Sequence, residues 1–298
     1  MILNIIGEHK TGKTTLSILL AKALEKEDKQ VCIVYLNKSL PKSYVCKDHL
    51  KYTYSIGYLL TKEKPASRSD IFKSMIPFSN NIAIISFVFG DFINKFPDLK
   101  EERFIEFVEI LKNMVDEIII VPDNDFNMLS TKLSYKLSDV ILKVYEAKQS
   151  LISYEETYKN IIFNNNDFDI SKEKVVFNKV KDFENILKYA TALRKTDYFS
   201  LPYLSQIEEN SDNFENEIKY RFHEEKKFLR EFNRILWYLY KIDTTEVEIK
   251  EPDENETNET VEKTENKKKF TFSLFKKEKV NENESQAIIK NKKLEDDF

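Results

Sequence analysis

Residues 7–14 read Gly-Glu-His-Lys-Thr-Gly-Lys-Thr. A glycine, four residues, then Gly-Lys-Thr is the spacing of a loop that wraps a nucleotide's β-phosphate. Such a loop works only between a strand and a helix, so it constrains what can surround it. Both flanks comply. MILNII in front is a short apolar run that reads as a strand. LSILLAKALEKE behind is apolar at Leu16, Leu19, Leu20, Ala23 and Leu24 and charged on the other face, which reads as a helix.

The chemistry accounts for the residue types. Phosphate oxygens need converging donors with no side chain in the way, and glycine lets successive N–H groups turn inward. The helix beginning near Lys13 adds the positive end of its dipole. Lys13 is expected to reach the β- and γ-phosphates, and the Thr14 hydroxyl to bind Mg²⁺. Gly7, Lys10, Thr11, Gly12 and Thr15 complete the expected phosphate-side set, with a nucleoside triphosphate and Mg²⁺ as the cofactors. The chain has only four glycines, and two of them stand where this motif demands them.

Composition bounds the rest. A 298-residue chain with 41% apolar residues can fill one large core, and a net charge of −4 gives no global attraction to nucleic acid. Cys32 and Cys46 form no C-x-x-C pair and read as reduced thiols. No apolar run reaches the roughly 18 residues of a membrane span, and no basic segment precedes the first strand. The expected location is cytoplasmic. His9 reads as a solvated loop residue, and His49 and His223 lack partners at metal-ligand spacing.

Further strands are expected at 30–36, 80–89, 116–121, 139–146, 173–180 and 197–204. Helices are expected at 101–115, 129–139, 150–163, 183–195 and 215–241, and a loop around Pro65. This alternation predicts an α/β fold, a mostly parallel twisted sheet with helices on both faces. Ligands of such sheets bind beyond the carboxyl ends of the strands. The aromatics Phe222, Phe228, Phe232, Trp237 and Tyr240 of the last helix read as core or interface rather than a base-stacking platform. Residues 1–241 are thus one nucleotide-binding domain, and 242–298 a charged tail too polar to bury a core. Within that tail KKKFTFSLFKKEK (267–279) has two readings. It is an exposed segment with lysine gatekeepers, or a peripheral anchor to the inner face of a membrane.

Three stretches together resemble the ParA/MinD family of P-loop ATPases, the branch with a deviant phosphate loop. They are GEHKTGKTTLSILLAKAL, then VDEIIIV after an amphipathic helix, then VVFNKV followed by SLPYL. The resemblance covers roughly residues 1–241. It implies that Asn178 hydrogen-bonds the adenine, that Pro202 lines its pocket, and that ATP binding brings two copies together. It also exposes departures. Glu8 stands where the family has a second lysine, with Lys10 two residues later. Tyr35 and Asn37 replace an Asp-x-Asp, and Val121 replaces a strand-ending Asp. Asp123, roughly 6–7 Å further along if the strand continues, is the remaining candidate for a catalytic and metal-side carboxylate, acting through a water or a shifted backbone.

The phosphate-binding groups are therefore kept while those that ready water for attack are largely missing. That profile resembles the atypical TadZ/CpaE-like members, which localise pilus or secretion machinery. It implies a positioning or assembly factor, a weak ATPase at most, working through a protein partner. A small-molecule or nucleoside kinase using the same loop is the alternative. Its arginine lid has no counterpart, because Arg68, Arg103, Arg194, Arg221, Arg230 and Arg234 do not cluster. A DNA-partition role needs a basic patch that the acidic balance disfavours.

Overall fold

A computed structural model describes residues 1–37, 54–61, 64–88, 99–125, 127–163, 168–181, 183–204 and 223–242. The tail readings, including 267–279, lie outside these residues, as do Cys46, His49 and positions 215–222 of the expected last helix.

The described strands form one eight-stranded sheet. They are β1 (Ile2–Ile6), β2 (Val31–Tyr35), β3 (Ile76–Pro77), β4 (Ile82–Ile85), β5 (Glu117–Val121), β6 (Val140–Tyr145), β7 (Glu173–Val180) and β8 (Tyr198–Pro202). Their order is β3-β4-β2-β5-β1-β6-β7-β8, and every pairing is parallel except β3 with β4. Apolar runs such as ILNII, VCIVY and IAII are buried along their whole length, as a parallel sheet covered on both faces requires. β1 lies between β5 and β6. From it the chain builds outward on one side through β2 and β4, and on the other through β6, β7 and β8. The crevice at this switch point opens at the carboxyl end of β1.

The helices divide between the two faces. Helices α1 (Lys13–Lys26) and α8 (His223–Tyr240) share a core with Leu3, Ile5, Leu142, Val144 and Val176. Side chains one residue out of phase point the other way. There Ile6 and Ile141 meet Tyr135 of α5 (Leu129–Leu137) and Tyr158 of α6 (Ser150–Phe163). α7 (Phe183–Ala192) covers Val175 and Phe177 on that face, and α4 (Glu101–Lys112) packs beside α5. Phe228 and Phe232 are buried, whereas Trp237 is 57% exposed, with the Lys241 ammonium 4.4 Å from its ring centroid.

Two short helices depart from the sequence reading. α2 (Ile56–Thr61) and α3 (Arg68–Ser74) fall where no helix is expected, α3 partly inside the supposed loop around Pro65. The cause of α3 is local. The Ser67 hydroxyl accepts from the Asp70 N–H while the Asp70 carboxylate accepts from the Ser67 N–H, a reciprocal cap. A chain so poor in glycine also ends helices without it. Asp28, Arg194 and Lys241 take left-handed backbone angles just past α1, α7 and α8, each at a cost of about 1 kcal/mol or more.

A charged cluster lies buried between β6, β7 and α6. Lys143 is 1% exposed, ion-paired with Glu155 and, at 3.4 Å, with Glu173. The hydroxyls of Tyr135 and Tyr158 both donate to Glu173, the first at 2.6 Å, and that of Tyr145 donates to Glu155. Burial depresses the proton affinity of Lys143 while the two carboxylates sustain it. Losing one partner of such a buried set strands the others. Lys143→Met should therefore cost about 3–5 kcal/mol of unfolding free energy, read from urea denaturation. A loss below about 1 kcal/mol, the range of exposed pairs, would show that water reaches the cluster.

Candidate nucleotide-binding site

β1 hands the chain to the loop at Gly7. Its backbone lies so close to β6 that a Cβ would stand 2.0 Å from the Val144 carbonyl oxygen. The loop then rises to an exposed tip at His9 and Lys10, where Lys10 has a φ of 64°. It descends through buried Thr11, whose hydroxyl donates to the Glu8 carbonyl at 3.1 Å. Gly12, with a φ of 91°, is the left-handed N-cap of α1, and no side chain caps that helix start. Backbone donors of the first turn thus point out of the helix beside the loop, the arrangement that receives an anion.

Lys13 lies across the loop. Its ammonium donates to the carbonyl of Gly7 at 2.8 Å and to that of Glu8. This holds a cation where phosphate oxygens are expected. Thr14 and Thr15 follow in the first turn, both half-buried. The Thr14 carbonyl accepts from Ser17 at 2.7 Å, and the Ser17 hydroxyl meets the Tyr35 hydroxyl at 2.8 Å in a buried contact. The donor set fits a triphosphate: two glycines in a tight turn, a helix start, one lysine and adjacent threonine hydroxyls. Thr14 would hold Mg²⁺.

The carboxylate side is different. Tyr35 and Val121 pair directly across β2 and β5, and both are buried. β5 stops at Val121 and Pro122 follows, so the extended backbone that would carry Asp123 onward is absent. Asp123 instead sits in a turn, its carboxylate accepting from the Asp125 N–H at 3.4 Å and its carbonyl from the Thr131 hydroxyl at 3.4 Å.

Asn178 and Pro202 lie toward the carboxyl ends of the neighbouring strands β7 and β8. Val180 pairs with Pro202, and the Tyr203 N–H donates to the Val180 carbonyl at 2.9 Å. The Asn178 side chain reaches the loop itself, its amide N–H donating to the Thr11 carbonyl at 2.8 Å.

Sequence reasoning missed a further contact. Glu8 is held within its own chain. Its carboxylate accepts from Ser150, at the start of α6, at 3.1 Å and lies 3.5 Å from the ammonium of Lys148, two residues before that helix. Lys148 also pairs with Glu146 at 3.3 Å, and Glu146 with Lys179 at 3.4 Å. Charges alternate around this rim. Nothing in the local sequence links positions about 140 residues apart.

Comparison with known proteins agrees with this geometry. A family model described as the CobQ/CobB/MinD/ParA nucleotide binding domain matches residues 2–221. No curated protein matches the sequence. Among solved structures, the chain is similar to a plasmid partition protein from Borrelia burgdorferi B31 bound to AMPPNP. The two are 16% identical with a TM-score of 0.61, over 81% of this chain and 99% of that one. It is similar to MinD in the MinC:MinD cell division complex of Aquifex aeolicus, at 15% identity and a TM-score of 0.60, over 79% and 95%. It is also similar to MinD from Pyrococcus horikoshii complexed with Mg-ADP, at 16% identity and a TM-score of 0.57, over 78% and 95%. At these identities the likeness is one of fold.

The two loop glycines should respond differently to alanine. At Gly12 the added Cβ would lie 2.3 Å from the Asn178 amide nitrogen, in a left-handed conformation. At Gly7 it would meet sheet backbone. Gly12→Ala should keep the fold and weaken Mg-ATP binding at least about tenfold, whereas Gly7→Ala should also lower the melting temperature, since backbone overpacking costs about 1–3 kcal/mol. Calorimetric titration and thermal denaturation of both variants check this. Wild-type affinity in Gly12→Ala would contradict it.

Proposed function

Because the chain belongs to the CobQ/CobB/MinD/ParA nucleotide-binding family, we propose that it is an ATP-binding positioning or assembly factor that hydrolyses ATP slowly. It is an atypical, TadZ/CpaE-like member with a deviant phosphate loop, acting in the cytoplasm through a protein partner. The observation that carries this reading is the contrast within one site. The phosphate side is complete, from Gly7 to Thr15. The strand ends beside it carry buried Tyr35 and Val121 instead of carboxylates, and Asp123 is turned back onto its own loop.

The residues then divide the work. Gly7, Lys10, Thr11, Gly12, Lys13, Thr14 and Thr15 bind and orient the polyphosphate, with Lys13 countering its charge. Asn178 and Pro202 form the base side. Bound ATP and Mg²⁺ supply charge that two facing copies can share, so occupancy sets assembly. In each copy Glu8 is committed to Lys148 and Ser150 rather than extended toward a second copy. The similarity to a MinD held in a complex with MinC supports a protein partner as the output. The family match favours this class over a small-molecule kinase.

Slow chemistry follows from the missing carboxylates, because removing groups that orient water or stabilise charge commonly lowers phosphoryl transfer by orders of magnitude. Steady-state turnover of the purified protein with Mg-ATP should stay below about 1 s⁻¹, the low end of ordinary enzymes. Faster turnover without a partner would mean that another group performs the catalytic role. Light scattering should show mass doubling with Mg-ATP in the wild type and not in Lys13→Ala. A monomer at saturating ATP would remove the assembly reading.

A further inference from the structure

β7 carries an irregularity that places one side chain on the phosphate loop. Its register with β8 runs from Phe177 opposite Ser200 to Val180 opposite Pro202, so β7 spends one residue more than its partner. Lys179 takes a φ of 58° within this bulge. Bulges re-aim side chains, and here the result is Asn178 donating to the Thr11 carbonyl at 2.8 Å. The fit is tight from the other side too, since Gly12 can carry no Cβ against that amide nitrogen.

We propose that Asn178 is a positioning residue for the phosphate loop, setting which way the Thr11–Gly12 peptide faces. That peptide is trans, so its C=O and N–H point in opposite directions. Fixing the Thr11 carbonyl on β7 turns the Gly12 N–H away from β7, to the side where phosphate binds. A flipped peptide would present a carbonyl oxygen to an anion. Gly12, left-handed and without a side chain, has little to resist such a flip by itself. An asparagine amide has two N–H groups and one oxygen. With one N–H spent on Thr11, the other and the oxygen remain for a purine edge. One side chain thus couples the base to the phosphate donors. The proposal rests on the nucleotide-binding reading and deepens it.

The test uses the full-length chain with Asn178→Ala and the near-isosteric Asn178→Asp, which keeps size but removes the donor. Affinities for Mg-ATP and for inorganic tripolyphosphate, which has no base, are measured by calorimetry. Both should fall about tenfold in both variants, the effect of one lost hydrogen bond in a binding loop. A second readout is glycine-selective ¹⁵N labelling, which gives four amide cross-peaks from four glycines. Without nucleotide, the Gly12 cross-peak should move in both variants while that of Gly57, in α2, stays. If ATP binding falls but tripolyphosphate binding does not, Asn178 is a base contact only and the proposal is wrong. An unmoved Gly12 cross-peak also overturns it. Should the wild type bind neither probe, the nucleotide reading fails, and the Gly12 cross-peak still decides whether the tether exists. If it binds ATP alone, the same cross-peak decides.

Discussion

The site depends on one close approach, the Gly7 backbone against the Val144 carbonyl of β6. At that point the central strand must become a loop without leaving the sheet. Only a residue lacking Cβ can lie there, and only then does the chain curl over the end of β1 and start α1 with its N–H groups facing the crevice. Lys13 returns to the same place, its ammonium on the Gly7 carbonyl. Asn178 holds the far end of the loop from β7. The loop is thus gripped at both ends by neighbouring strands of a sheet whose α1 face is largely apolar, the buried Ser17–Tyr35 hydroxyl pair apart.

The other face contributes stiffness by different means. Lys143 and its two carboxylates tie β6 and β7 to α6, and the chain entering α6 holds Glu8 through Ser150 and Lys148. A buried ionic set is a poor source of net stability, but it penalises any shift that separates its members. The position of α6 relative to the loop is therefore well defined. Against this rigid frame the catalytic side is sparse. Tyr35 spends its hydroxyl on Ser17 inside the core, and Pro122 ends β5 before Asp123. This contrast supports the proposed reading of a site that holds a polyphosphate more than it breaks one.

Much of the fold is legible in the sequence because its signals are local. The loop motif fixes the β1–α1 unit. β7 and α6 lie at the residues expected, 173–180 and 150–163, since turn-forming or charged segments bound their apolar runs. What escaped notice has two physical causes. α3 is set by a two-residue cap, a signal overshadowed by nearby Pro65. The contacts of Asn178, Glu8 and Lys143 join positions far apart in the chain, and each residue alone reads as an ordinary polar or charged side chain. Lys143 in VILKVY gives no sign that its ammonium is buried. The resemblance picks out Asn178 as a candidate base contact, but its hold on Thr11 follows from a bulge that sequence periodicity does not reveal.

The proposed site holds ATP and breaks it slowly. The direct measurement is the identity of the bound nucleotide. The full-length protein is mixed with Mg-ATP at equal concentration, and after about 0.1 s, too short for a turnover slower than about 1 s⁻¹, the protein-bound fraction is separated by rapid filtration and its nucleotide resolved by chromatography. Predominantly intact ATP on the protein is the predicted result. ADP alone, or protein recovered without nucleotide, would contradict the account.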